Sequence, residues 1–233
     1  MKIGITERGD AGLDFSWMQP LAIKSVDAAI LITKAPYKLL GLNLPKNIIV
    51  HCTITGLGQR YEPGVATTET NLNAYDTLVR ELGPDRVVLR VDPIIPVGDE
   101  LKRAMDVIAH AKGRIRISFM DMYPHVKDRF RKAGIEIPYH DFHASKHIRI
   151  AAYNAICEMH ESLAGKEYSV EVCGEPDLFC TGCVSRRDLE ALELEGGTLG
   201  GKQRYACCCL AEKVELLKDR KPCAHGCLYC YWR

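Results

Sequence analysis

Three cysteines near the end of the chain, Cys223, Cys227 and Cys230, stand at C-x3-C-x2-C spacing, with Tyr229 immediately before the third. Thiolates this close in sequence can converge on one metal centre, and iron–sulfur clusters and zinc are the centres they favour. The ligand count separates the two. A cubane of four irons that receives three thiolates keeps one iron without a protein ligand, and a small molecule can bind and be reduced there. A structural zinc ion takes four ligands, and His225, between the first two cysteines, would be the fourth. Zinc gives no reason for an aromatic residue before the last cysteine.

The other cysteines are unevenly placed. Of eleven, only Cys52 and Cys157 precede position 173, and these two are expected as ordinary small buried residues. Cys173, Cys180, Cys183, Cys207, Cys208 and Cys209 offer more than the four donors a second centre needs. Adjacent residues project differently, so Cys207 and Cys209 can face one metal more readily than Cys207 and Cys208. The expected second centre is Cys173, Cys183, Cys207 and Cys209, as a further [4Fe–4S] cluster or as zinc, with Cys180 an alternative zinc ligand. Its binding free energy would pin the tail to the body.

Net charge is +1 and charged residues make up 26%, so no global field points to nucleic acid or an anionic membrane. Lys112–Arg116 and Ser185–Arg187 are the small basic patches on which a nucleic-acid reading would rest. No apolar run approaches the roughly 18–20 residues of a membrane helix. The early charges of Lys2, Glu7 and Arg8 speak against a secretory signal. A cytoplasmic protein is expected, in which cysteines serve metal or redox chemistry rather than disulfides.

The elements that must position these groups alternate. Strands are expected at Ile3–Thr6, Ala28–Thr33, Asn47–Ile54, Arg86–Val91, Arg114–Phe119 and Tyr168–Val172, several as continuous apolar runs of the kind buried on both faces. A helix capped by Thr67 or Thr68 carries Leu72, Tyr75, Leu78, Val79 and Leu82 and stops at Gly83-Pro84. Leu101, Met105, Ile108 and Ala109 mark another. Ile148, Ala152, Ala155, Ile156, Met159 and Leu163 mark the longest, ending near Gly165. This is an α/β protein with a parallel sheet, a partial (β/α)6 barrel or a doubly wound sheet by periodicity alone. Residues 1–172 form the body and 173–233 a cysteine-rich tail of the same globular unit, folded back over the barrel mouth. Sites in such folds gather at strand C-terminal ends. The polar residues there are Thr53, Thr55, Arg90, Asp92, Ser118, Asp121 and Glu175.

Read in order, Thr55-Gly56 with Glu62-Pro63, Arg90-x-Asp92-Pro93-Ile94, Ser118-Phe-x-Asp121-x-Tyr123, Cys173-Gly-Glu175, Cys183 leading into Arg186-Arg-Asp-Leu, Gln203-Arg204-x-x-Cys207-x-Cys209 and the terminal Cys223–Tyr231 stretch resemble a bacterial family of unknown function. Its C-terminal cysteine cluster is similar to the N-terminal cluster of radical S-adenosylmethionine (SAM) enzymes. The Thr-Ile-Thr-Gly and Asp-Pro-Ile-Ile-Pro stretches are more distantly similar to spore photoproduct lyase, which repairs a thymine dimer. The resemblance implies a partial (β/α)6 barrel of the radical SAM type. It implies an open-site [4Fe–4S] cluster on Cys223, Cys227 and Cys230 that holds SAM. Electron entry would cleave the SAM carbon–sulfur bond, and the resulting 5′-deoxyadenosyl radical would take hydrogen from a substrate. Thr55, Arg90, Asp92, Glu175 and Tyr229 would contact the cofactor, with Arg90, Asp92 and Ser118 the catalytic candidates. A flavodoxin or ferredoxin would supply electrons. The substrate stays unnamed, with a nucleic-acid lesion or base among the options.

The chain departs from the radical SAM pattern in two ways. Its motif closes the chain instead of opening the barrel, and no Gly-Gly-Glu segment is present. The related family commonly has Ser-Arg near the first strand, where this chain has Thr6-Glu7-Arg8. An iron–sulfur electron carrier or redox sensor without SAM chemistry, and a zinc-stabilised binding module, are the alternatives. Individual residues also have plainer readings. Arg90 and Asp92 could simply pair inside the barrel, and Tyr229 could only pack. His143 and His147, spaced i, i+4, could bind a metal on a helix face, but they lack the adjacent acidic residue of that motif.

Overall fold

The computed structural model describes residues 1–164, 168–201, 206–217 and 223–232. Gly165, Gln203 and Arg204 lie outside the described residues. Among the described residues, seven strands, Ile3–Ile5 (β1), Ala28–Thr33 (β2), Ile48–Thr53 (β3), Val87–Ile94 (β4), Ile115–Phe119 (β5), Val170–Val172 (β6) and Lys213–Glu215 (β7), form one sheet in the order β6-β5-β4-β3-β2-β1-β7. Every pairing is parallel and the sheet is not closed. The six expected strands are present within a few residues of their expected ends. β7 was not expected, because Lys-Val-Glu offers a single apolar side chain. It forms because β1 lends it a ladder, with Ile3 N donating to Glu212 O at 2.8 Å and Leu216 N to Ile5 O at 2.8 Å.

Among the described residues, six α-helices cover the sheet or connect its strands: Met18–Ala22 (α1), Thr68–Leu82 (α2), Gly98–Ile108 (α3), Pro124–Lys132 (α4), Lys146–Ala164 (α5) and Arg186–Ala191 (α6). In α2 the Thr67 hydroxyl accepts from Thr70 N at 3.2 Å, satisfying one of the free amides of the first turn. Tyr75 and Leu78 are fully buried on its inner face, and Gly83 ends it at φ +89°. Thr67→Ala is expected to cost about 1 kcal/mol, read as a lowered melting temperature with an unchanged folded-state circular dichroism spectrum. α4 was not foreseen: Val126 and Phe130 are its only buried side chains, too few to mark an apolar stripe. In α5 the expected stripe stops early, with Leu163 62% exposed. His143 precedes α5, and its Nδ1 meets Asp121 Oδ1 at 2.8 Å. It therefore does not share a helix face with His147, and the i, i+4 metal pair is not formed.

Period-two alternation gives the sheet two faces. One, from Ile48, Val50, Leu89, Ile115 and Ile117, packs under Tyr75, Leu78, Val107 and Ile156 of the helices. The other carries Ile3, Ile5, Ile30, Ile49 and Val88, and the tail residues Cys183, Val184, Leu189, Cys209 and Leu210 share a core with them.

That second face also buries charge. Arg114 and Arg116 are fully buried, so the Lys112–Arg116 stretch is not the surface basic patch it suggests in sequence. Arg114 Nε donates to Glu171 Oε1 at 2.8 Å and its Nη2 to Asp188 Oδ1 at 2.7 Å. Arg116 donates to Glu171, and its Nη1 to Cys183 O at 2.9 Å. Asp188 reaches this network from α6, where it also closes a capping box with Ser185. Buried charges persist only when paired in this way.

Candidate metal centre and strand-end cavity

The C-terminal ends of β1 to β5 open into a cavity of about 990 Å³. Cys223, Cys227 and Cys230 line it, and so do Cys173, Cys183 and Cys207 of the upstream group. Cysteines from both groups, Cys173 to Cys230, thus share one chamber.

The terminal segment is fixed by backbone contacts and by buried polar side chains. Gly64 N donates to His225 O at 2.9 Å and Leu228 N to Tyr61 O at 2.9 Å. Arg129 Nη1 donates to Cys230 O at 2.6 Å and its Nη2 to Trp232 O at 3.0 Å. His225 is buried, with Nε2 at 2.8 Å from Asp10 Oδ2 and Nδ1 at 3.4 Å from Gly64 O. Both ring nitrogens are engaged, so this geometry does not offer His225 as the fourth ligand of a zinc knuckle. Burial would raise the Asp10 pKa, but the His225 hydrogen bond and charge, the Thr33 hydroxyl and the Lys34 amide hold it below the ordinary range.

A β-carbon on Gly64 would stand 2.1 Å from Ala224 O. Gly64→Ala must therefore push the cysteine loop outward. It is expected to lower metal content at Cys223, Cys227 and Cys230 while the circular dichroism spectrum is retained, with metal analysis of the purified variant as the check.

Tyr229 is buried and donates to Glu62, which also accepts from Lys34 Nζ at 2.9 Å and from the Thr55 hydroxyl at 2.7 Å. Tyr229 and Thr55 thus grip a carboxylate that holds the Lys34 ammonium. Burial alone would depress the Lys34 pKa, but Glu62 and the neighbouring Cys227 raise it. Burial pushes the Cys227 thiol up to about 11, against the pull of Lys34. Metal binding there must displace that proton.

The upstream cysteines also meet. Cys173 Sγ lies 2.9 Å from Cys183 Sγ, and Cys207 Sγ 3.1 Å from Cys209 Sγ. Cys183 Sγ, Cys209 Sγ and a Glu7 carboxylate oxygen all lie within 4.8 Å of one another. Gly182, at φ +80°, has no room for a β-carbon, which would stand 2.7 Å from Cys209 N. The hydrogen bonds from Cys173 and Cys209 hold the Cys183 thiol well below its usual pKa despite its burial, with Arg90 and Arg116 adding to the effect. Cys180 stands apart, its sulfur accepting from Gly174 N at 3.1 Å, and Cys208 is exposed. Cys52 is buried in the helix-facing core, as expected, and Cys157 is partly buried.

The remaining candidates divide. Arg90, Asp92 and Ser118 line the cavity as one chain, with Arg90 donating to Asp92 Oδ2 and Ser118 Oγ to Asp92 Oδ1 at 2.5 Å. The pairing inside the fold therefore exists, and Arg90 Nε still has no hydrogen-bond partner among the described residues. Thr55 and Glu175 do not line the cavity. Glu175 is buried, accepts from Phe119 N at 2.7 Å and faces Arg149 at 3.7 Å, so it ties the end of β5 to α5. Sequence reasoning did not select Glu7, Asp10 or Lys34, all lining the cavity, although each follows a strand end and the same topological rule would have found them.

Fold and site define a parallel α/β protein whose strand ends open into a cysteine-lined chamber. The chain belongs to the family described as Domain of unknown function (DUF1848), matched over residues 16–232. No curated protein and no solved structure matches it. Among the described residues, no helix is long and apolar enough to cross a membrane.

Proposed function

We propose that the protein is a radical SAM-type iron–sulfur enzyme built on a partial (β/α)6 barrel. Support for the barrel comes from the unbroken spatial order of β1 to β6. Right-handed crossovers then place their helices on one face and favour curling, whereas a doubly wound sheet reverses at a switch point. The observation that carries the chemistry is the convergence of Cys223, Cys227 and Cys230 on the strand-end cavity, with His225 bonded elsewhere.

The donor set fits a three-thiolate [4Fe–4S] cluster with one open iron, and about 990 Å³ is a suitable volume for a small-molecule site. When bound, cluster and SAM supply reductive cleavage of the SAM carbon–sulfur bond and hydrogen abstraction from substrate. The protein's own part is positional. Lys34, held by Glu62, sets a positive charge beside Cys227. Arg90 would donate to a carboxylate of the cofactor, and Asp92, oriented by Ser118 and Arg90, would accept from ribose hydroxyls. Cys173, Cys183, Cys207 and Cys209 are the thiols from which a second centre, a further [4Fe–4S] cluster or zinc, would draw its ligands. A flavodoxin or ferredoxin is the expected reductant. Arg8, Lys34, Arg90 and Arg129 line the chamber beside Glu7, Asp10, Asp92 and Asp121, so its charge does not select the substrate, and a nucleic-acid lesion or base stays one option.

A second reading is an electron carrier or redox sensor, favoured by the opening of both cysteine groups into the same chamber. Anaerobic purification, metal and sulfide analysis, and assay for 5′-deoxyadenosine and methionine separate the readings. Iron, sulfide and SAM cleavage are expected. Iron without cleavage supports the carrier, and zinc alone a structural binding module.

A further inference from the structure

We propose that Glu7 is a ligand of the upstream centre, and that this centre is a single zinc ion held by Glu7, Cys183, Cys209 and one flanking thiolate. The inference rests on reading the upstream cysteines as a metal centre, and it specifies which donors and which metal.

Distance is the first argument. A tetrahedral zinc with bonds of about 2.3 Å to sulfur and about 2.1 Å to oxygen keeps its donor atoms about 3.6–3.8 Å apart. Glu7, Cys183 and Cys209 present one oxygen and two sulfurs within 4.8 Å of one another. The fourth position falls to Cys173, 2.9 Å from Cys183, or to Cys207, 3.1 Å from Cys209. Thiolates bound to different irons of a cubane are spread by the cluster between them. Sulfurs 2.9 and 3.1 Å apart need to part by less than about 1 Å to take tetrahedral places on one ion, far less than a cubane between them would require.

The surroundings of Glu7 are the second argument. It stands just past β1, separated from it by Thr6, and its amide donates to Glu215 Oε2 at 3.0 Å. Its carboxylate is mostly buried and meets Lys213 Nζ at 3.1 Å, from the strand paired with β1. A ligating carboxylate is characteristically held by an outer hydrogen-bond donor of this kind. Soft thiolates with one hard oxygen remain within the ligand range of zinc. Glu7 and Cys183 line the cavity and Cys209 does not, so the ion would present its oxygen ligand towards the chamber.

The test is zinc-edge X-ray absorption on the anaerobically purified full chain, together with zinc affinity by chelator competition for wild type, Glu7→Gln, Lys213→Met and Cys183→Ala. The expected result is about one zinc per chain with three sulfurs and one oxygen, an affinity at least about tenfold lower in Glu7→Gln, and a smaller loss in Lys213→Met. The absorption measurement on wild type does not depend on any variant folding. Four sulfurs around zinc, unchanged affinity in Glu7→Gln, or an equal loss in Lys213→Met would remove Glu7 from the site while leaving the centre in place. Iron and sulfide at the upstream cysteines would overturn the single ion. Undiminished zinc in Cys183→Ala would instead overturn the upstream centre itself.

Discussion

Cys227→Ala is expected to abolish SAM cleavage and to remove about four irons per chain, leaving the body folded and the upstream centre loaded. The separation follows from placement. Cys227 belongs to a terminal segment held by Gly64, Tyr61 and Arg129, whereas Cys183 and Cys209 belong to the core under the sheet. Removing one of three thiolates leaves two of four irons without protein ligands, too few attachments to hold the cluster. Iron and sulfide analysis beside circular dichroism checks the result. Retention of all iron and of SAM cleavage would sink the assignment of the terminal cysteines.

Arg116→Leu is expected to cost about 3–5 kcal/mol, a large share of the stability of any domain. Glu171 and Asp188 would then depend on Arg114, with Arg187 Nε reaching Glu171 Oε1 only at 4.0 Å. In the intact protein burial would raise both carboxyl pKa values, but Arg116 and Arg114 hold them below the ordinary range. A carboxyl whose pKa is depressed by folding contributes stability that is fully present above its unfolded pKa. That contribution is lost as pH falls through the folded value. Acid unfolding of the wild type should therefore draw on this network only below about pH 4, and in Arg116→Leu the transition should move to higher pH. Denaturant melts across a pH series check both the size and the direction. An unchanged melt would show that the network contributes nothing.

Much of the body was legible because its strands are buried on both faces. Ala28–Thr33 reads as one apolar run and is β2 at those bounds. Thr67 and Gly83 delimit α2 by capping chemistry that acts within a few residues. What depends on distant parts of the chain was not legible. Lys213–Glu215 becomes a strand only because the edge of β1 is free to receive it. Arg114 and Arg116 read as surface charge because nothing local announces that Glu171 and Asp188, more than fifty residues later, will cover them.

The site was legible to a similar extent. Cysteine spacing selected two groups, and the structure brings the members of each into the neighbourhood of one chamber. Arg90, Asp92 and Ser118, selected by the strand-end rule, line that chamber. Thr55 and Glu175 satisfied the same rule yet point to structural partners, Glu62 in one case and Phe119 with Arg149 in the other. The rule locates a rim of residues, and only packing decides which of them face the chamber.

The central claim is an iron of the terminal cluster that is open to SAM. Electron paramagnetic resonance of the anaerobically reduced protein, recorded with and without SAM, tests it directly. The account predicts a [4Fe–4S] signal that shifts on adding SAM and disappears in Cys227→Ala. A signal indifferent to SAM, or no iron after anaerobic reconstitution, would contradict it.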